Sequence, residues 1–389
     1  MSEGLKELTT NQLIIQKENK RAFFLDNLKV ALTCLVIANH GSQAYTSINT
    51  GWVIQQGNIP EINDQIIGLF LSINNTFFMA LFFLISAYFI PASYERKTIS
   101  KYLKERFIRL GIPTIFFVLI VFPIFGIIMN NGKMSATDFL LNKFFNLSSG
   151  ELSLGHTWYL FDLLLFSCTY ALYTYLSKNK TSKRNLSNVP GNLKIAVFIS
   201  ILTLVLFVVR IFFPPGYFTM FHIFEPARIP SYIAMFVIGL IAYKNNWIER
   251  ITVSTAYIWG AISLVTIFLT PIIQTFVLNG KDMWAKGLTL NSFIVSAWDA
   301  ILCVGLCISL IVLFREKFNF QSKILKRAAN DSFAVYLLHP FVLILIQGLM
   351  INVALHPFIK CIVVIVISTI LCYIICHIVK KLPYVSKVL

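Results

Sequence analysis

The sequence predicts an all-α, polytopic membrane helix bundle of about ten transmembrane helices with both termini in the cytoplasm. Three observations lead there. Hydrophobic residues make up 57% of the 389 residues and charged ones 13%, a balance that a bilayer solvates and a water-exposed surface does not. Ten apolar runs approach or exceed the roughly 18–20 residues that cross about 30 Å of hydrocarbon. The basic residues, finally, fall almost entirely on alternate loops.

In chain order the predicted spans are 23–45, 66–90, 112–129, 157–177, 193–213, 229–243, 253–278, 292–314, 332–352 and 357–379. Each is a near-continuous apolar run closed by polar, Gly or Pro residues. The sixth is short and reads as tilted or partly re-entrant. Residues 1–22 form a polar, mixed-charge arm, 23–380 one membrane domain, and 381–389 a short tail. No loop is long enough for a second folded domain, and the basic linker that begins at Lys178 is the longest polar stretch between spans. The first apolar run follows the arm without a small-residue cleavage site, so no cleaved leader is expected.

Orientation follows from charge. Of the 33 Lys and Arg residues, 25 lie in the amino-terminal arm, the even-numbered loops and the tail, against five in the odd loops. That asymmetry places both termini inside. It also accounts for the net charge of +16 as a topology signal, so nucleic acid is not an expected partner. The seven cysteines all fall within spans and show neither a secreted disulfide pattern nor paired CxxC metal spacing. Packing is their simplest use.

Chemistry must then come from helix ends, short loops and the bundle interior. In the first span Lys29 and His40 are eleven residues apart. On a helix this puts them on one face, offset by about 20° and separated by about 16 Å. Lys29 lies toward the cytoplasmic end and His40 toward the outer end. Neutral imidazole suits a general base near pH 7, and an ammonium suits a phosphate-bearing donor. The competing reading is an interfacial His and a snorkelling Lys paired with Asp26. Arg106 and Arg109, at i,i+3 before the third span, form either a phosphate clamp or ordinary inner-face anchors. His156 and Trp158 open the fourth span on the side of His40. Trp158 suits an interfacial belt or a substrate wall, and His156 suits a partner for a hydroxyl, for His40 or for water. Asp162 lies deeper and needs a partner. Glu225 and Arg228 cluster with His222 and aromatics in an outer loop, a set that suits carbohydrate or a plain surface ion pair. His339, read as one to two turns in from the inner face, fits a packing role and a functional one equally. No metal site is expected, because the histidines lack tight ligand spacing.

Taken in order, these segments resemble the bacterial integral-membrane acyltransferase-3 family, and within it the branch that includes periplasmic glucan succinyltransferases. LDNLKVALTCLVIANH resembles the family's first helix, in which a basic residue precedes an essential histidine by eleven positions. FFLISAYF with RFIRLGIPT, GHTWYL, EPARIPSYIAMFVIGLIAYKNNW and SFAVYLLHP resemble later blocks. Lys29 stands where many members have arginine, and Ala87 stands where glycine is common. The resemblance implies an O-acyltransferase of the bacterial cytoplasmic membrane, acting in cell-envelope polysaccharide modification. Its donor would be acyl-CoA, acetyl-CoA first and succinyl second, with no tightly bound cofactor. Its acceptor would be a hydroxyl of an extracytoplasmic saccharide. His40 and His156 would be catalytic, Lys29, Arg106 and Arg109 would hold the donor, and Glu225, Arg228 and Trp158 the acceptor. The alternative is a transporter or flippase, to which intramembrane charges such as Asp26, Arg210 and Asp299 are equally suited.

Overall fold

The structure is a computed structural model that describes residues 22–48, 51–129, 133–146, 152–177, 187–277 and 285–383. Most of the amino-terminal arm, the first part of the basic linker (178–186) and the end of the tail lie outside the described residues, as do the basic residues they carry. Among the described residues there is no strand.

Ten helices carry the fold. They are α1 (Phe23–Ser42), α2 (Glu61–Glu95, with a turn at Phe89), α3 (Ile99–Met129), α4 (Gly155–Leu176), α5 (Asn192–Phe212), α6 (Ile229–Asn245), α7 (Val253–Phe276), α8 (Leu290–Lys317), α9 (Lys323–Met350) and α10 (Pro357–Val379). Each overlaps one predicted span. Among the described residues eight are long and apolar enough to cross a membrane. The two outside that set are α1, whose interior holds Asp26, Asn27, Lys29, Asn39 and His40, and α6. At 17 residues α6 is about 26 Å long, short of the hydrocarbon thickness.

α1 is the pivot of the bundle and packs against α2, α8, α9 and α10. Leu25, Leu28, Leu32 and Val36, spaced three and four apart, line one buried face. α6 lies closely on α2 because Gly239 has no side chain: a Cβ there would come within 2.3 Å of the Leu84 carbonyl oxygen. This is the small-residue contact that lets backbones approach in a bilayer. α5 and α7 lean on α8, with Ile201, Val208 and Phe268 turned outward, as lipid-facing surfaces require.

Two helices begin well before their apolar runs. α3 starts at Ile99, capped by Thr98, because Lys101 and Lys104 keep one side of its first turns polar. α9 starts at Lys323, capped by Ser322, nine residues ahead of the predicted span. α3 also holds two π turns, Phe107–Gly111 and Phe117–Val121. Each is followed two residues later by a proline, Pro113 or Pro123. A proline lacks the N–H that continues the ladder, and a widened turn redistributes the carbonyls it leaves free.

Candidate active site

Three histidines from three helices converge. His40 sits in the last turn of α1. His156 enters at the start of α4 through a 3-10 turn that Gly155 opens at φ +48°. A side chain at Gly155 would both strain that conformation and press on the Phe122 ring. His339 lies in the middle of α9, fully buried. It lies about 24 Å along α9 from the helix start and level with His40, although the sequence reading set the two histidines toward opposite faces. The His40 and His339 rings are 4.9 Å apart between centroids, and those of His156 and His339 are 5.6 Å apart.

α9 grips both partners. The Leu337 carbonyl accepts from His156 Nε2 at 2.9 Å, and the Tyr336 hydroxyl donates to the His156 carbonyl. His339 Nε2 lies 3.1 Å from His40 Nδ1, which also sits 3.0 Å from the Val36 carbonyl. On its far side His40 meets the Trp52 ring, whose indole N–H donates to Gln347 at 2.7 Å. Gln347 in turn donates to the Gly41 carbonyl. Phe117 and Phe122, from the second π turn of α3 and the residue after it, close around His156.

The histidines border a cavity of about 430 Å³. His40 and His156 line it together with Trp158, Glu225 and Arg228. Trp158 stacks on Tyr232 at 5.5 Å and 25°. It is therefore a wall of this cavity. Glu225 accepts from the Gly216 amide at 2.7 Å and from Arg228 Nε at 3.0 Å. Arg228 also donates to the Asn75 carbonyl and lies 3.8 Å from Asp299. Asp299 is ion-paired with the fully buried Arg210, which reaches Ser296 as well. The wall thus carries one guanidinium and two carboxylates, with Arg210 behind it on Asp299, a set of paired charges in which burial is tolerated. His222 does not line the cavity; its ring packs on Phe218.

Lys29, Arg106 and Arg109 are elsewhere. Lys29 pairs with Asp26 at 2.9 Å and lies over the Phe89 ring. Arg106 lies over Tyr102, half-buried, and Arg109 is exposed. Arg109 falls within the π turn that begins at Phe107, and Arg106 immediately precedes it. Tyr102 contacts Tyr94, and Tyr94 contacts Tyr170, fourteen residues and about 21 Å along α4 from His156. Between the two ends, Asp162 is 1% exposed and neither carboxylate oxygen has a hydrogen-bond partner.

Residues 23–377 match the acyltransferase domain. The chain belongs to the acyltransferase-3 family. No curated protein and no solved structure matches it. The candidate site of this multi-pass membrane acyltransferase also draws in residues that the sequence reading left unplaced. His339, Tyr336, Asp299 and Arg210 reach the site through contacts between positions 86 to 299 residues apart. The His-Pro pair inside an apolar helix was the one local signal available.

Proposed function

We propose that this membrane acyltransferase is an O-acyltransferase of the bacterial cytoplasmic membrane, crossing it ten times with both termini inside. It would move an acetyl group, or alternatively a succinyl group, from acyl-CoA to a hydroxyl of an extracytoplasmic saccharide of the cell envelope. Acyl-CoA is a donor substrate here, not a resident cofactor. The observation that carries this reading is the position of His40, on the wall of a cavity that also presents aromatic faces and paired charges. An alcohol is a weak nucleophile at neutral pH until a base takes its proton. In the proposed step His40 removes the hydroxyl proton as the oxygen attacks the thioester carbonyl. The carbon–sulfur bond breaks, and the imidazolium returns the proton to the departing thiolate. The products are the ester and free CoA.

The aromatic rings Trp158 and Tyr232 suit a sugar face, while Glu225 and Arg228 offer hydroxyl partners. His156, held by α9 beside His339, borders the same space. The donor phosphates are assigned to Arg106, Arg109 and Lys29, about 16 Å or more from the histidines along α1 and α4. Asp162 offers unpartnered oxygens between the two ends. Support for an enzyme over a transporter comes from the intramembrane charges: Asp26 pairs with Lys29, and Arg210 with Asp299. A charge held in such a pair is a weaker candidate for an ion relay than a free one.

The test is purified protein in liposomes with labelled acetyl-CoA on the inner-face side and glycan on the other. Label on the glycan is the expected result. Glycan movement without label transfer would establish transport instead, and running acetyl- and succinyl-CoA side by side assigns the acyl group.

A further inference from the structure

His40 is one of three rings whose protons are fixed by carbonyl groups, and the fixing begins at a proline. Pro340 lies inside α9. It has no N–H, so the Tyr336 carbonyl, four residues earlier, loses its helical donor. His339 Nδ1 takes that carbonyl at 2.7 Å. A carbonyl only accepts, so Nδ1 of His339 carries the proton. In neutral His339 the other nitrogen, Nε2, is then an acceptor. It lies 3.1 Å from His40 Nδ1, and that same Nδ1 also faces the Val36 carbonyl at 3.0 Å. Two acceptors facing one nitrogen require that it carry hydrogen. His40 Nδ1–H is therefore shared between Val36 and His339, and Nε2 is the nitrogen left with a free electron pair. The reverse arrangement would set a lone pair of His40 against the Val36 carbonyl and would need a doubly protonated His339 in a fully buried position.

We infer that His339 is a positioning residue: held by the carbonyl that Pro340 frees, it locks His40 in the tautomer whose Nε2 is basic and fixes the ring against the cavity wall. This rests on the reading of His40 as the base. The role parallels the acid that orients the histidine of a catalytic triad, with a neutral imidazole in place of a carboxylate. When His40 takes a proton at Nε2, its Nδ1–H remains bonded to two acceptors, so the imidazolium forms without losing a partner.

The experiment uses the full chain in lipid nanodiscs. Ring ¹⁵N resonances of labelled histidine, with His40 assigned by its loss in His40→Ala, report the tautomer without any activity. In the wild type His40 should show a protonated Nδ1 and a bare Nε2. A protonated Nε2 in neutral wild-type His40 overturns the inference before any variant is made. His339→Leu should give mixed His40 tautomers and lower kcat by roughly 10–10²-fold, with KM for donor and acceptor within about twofold. A neutral orienter that shares the proton with Val36 is worth less than the approximately 10⁴ lost with a charged one. His339→Gln, whose amide oxygen can accept from His40 Nδ1, should recover most of the rate. Wild-type kcat in His339→Leu, or no recovery in His339→Gln of equal thermal stability, overturns the inference. Normal turnover in folded His40→Ala instead refutes the base reading, and the tautomer data stand apart from it.

Discussion

The two ends of the bundle are built on opposite terms. At the cavity end nearly every charged or ionisable group already has a fixed partner: Arg210 with Asp299, Arg228 with Glu225, His40 with Val36 and His339, His156 with Leu337. At the basic end Arg106 precedes a π turn that holds Arg109, the first half-buried over an aromatic ring and the other open to solvent. Preorganised dipoles serve chemistry because they need no rearrangement as charge develops. Loosely held cations serve capture of an anionic substrate, where long reach counts for more than fixed geometry. On the proposed reading the contrast separates reaction from donor binding along the bundle axis, and it yields predictions of decreasing size.

The largest effect belongs to His40. His40→Ala should lower turnover by roughly 10²–10⁴ while binding of CoA, read by calorimetry, stays within about threefold. A parallel loss of CoA affinity would erase the distinction between the ends. Next comes the ion pair at the cavity wall. Arg210→Met leaves Asp299 with only the more distant Arg228, and breaking a buried pair costs about 3–5 kcal/mol. Denaturant or thermal unfolding in detergent should show that loss, and Arg210→Met/Asp299→Leu should recover a large part of it. At the other end, Arg106→Ala should raise the donor KM by about 10–10²-fold, the worth of one or two charge-assisted hydrogen bonds, with kcat within about twofold. A fall in kcat alone would place Arg106 in the chemistry instead. The smallest effect is a gain: Asp162→Leu removes a buried carboxylate without hydrogen bonds and should stabilise the empty protein by about 1–3 kcal/mol. Destabilisation on thermal unfolding would reveal a partner for that carboxylate.

The helical bundle was legible in the sequence because apolar length is an additive, local signal. Each predicted span overlaps one helix, and Pro357–Val379 matches to the residue. Boundaries failed where a helix continues past its apolar run, as at Ile99 and Lys323, since hydropathy reads lipid contact and not hydrogen bonding. That error had a consequence at His339, whose depth was counted from Ser332. His40, His156, Trp158, Glu225 and Arg228 were legible as candidates, and their meeting at one cavity was not, because periodicity says nothing about which faces pack together. The Arg210–Asp299 pair, 89 residues apart in sequence, had no local trace at all. The π turn at Arg109 was not legible either, because the sequence reading takes a regular α-helix across Phe107–Gly111.

The two widened turns of α3 carry a consequence for how such a chain tolerates length changes. A π turn closes each hydrogen-bonded ring over one more residue than an α turn. Deleting one position between Phe107 and Gly111 would let the ladder tighten without a break. Arg106 and everything before it would keep nearly the same azimuth, because the tightened turn absorbs the missing residue, while Phe117 and Phe122 kept their places beside His156; the same deletion in a regular α stretch would swing the preceding part by about 100°. α3 therefore carries slack between its charged beginning and its aromatic middle, where one residue can be lost without turning either part against the other.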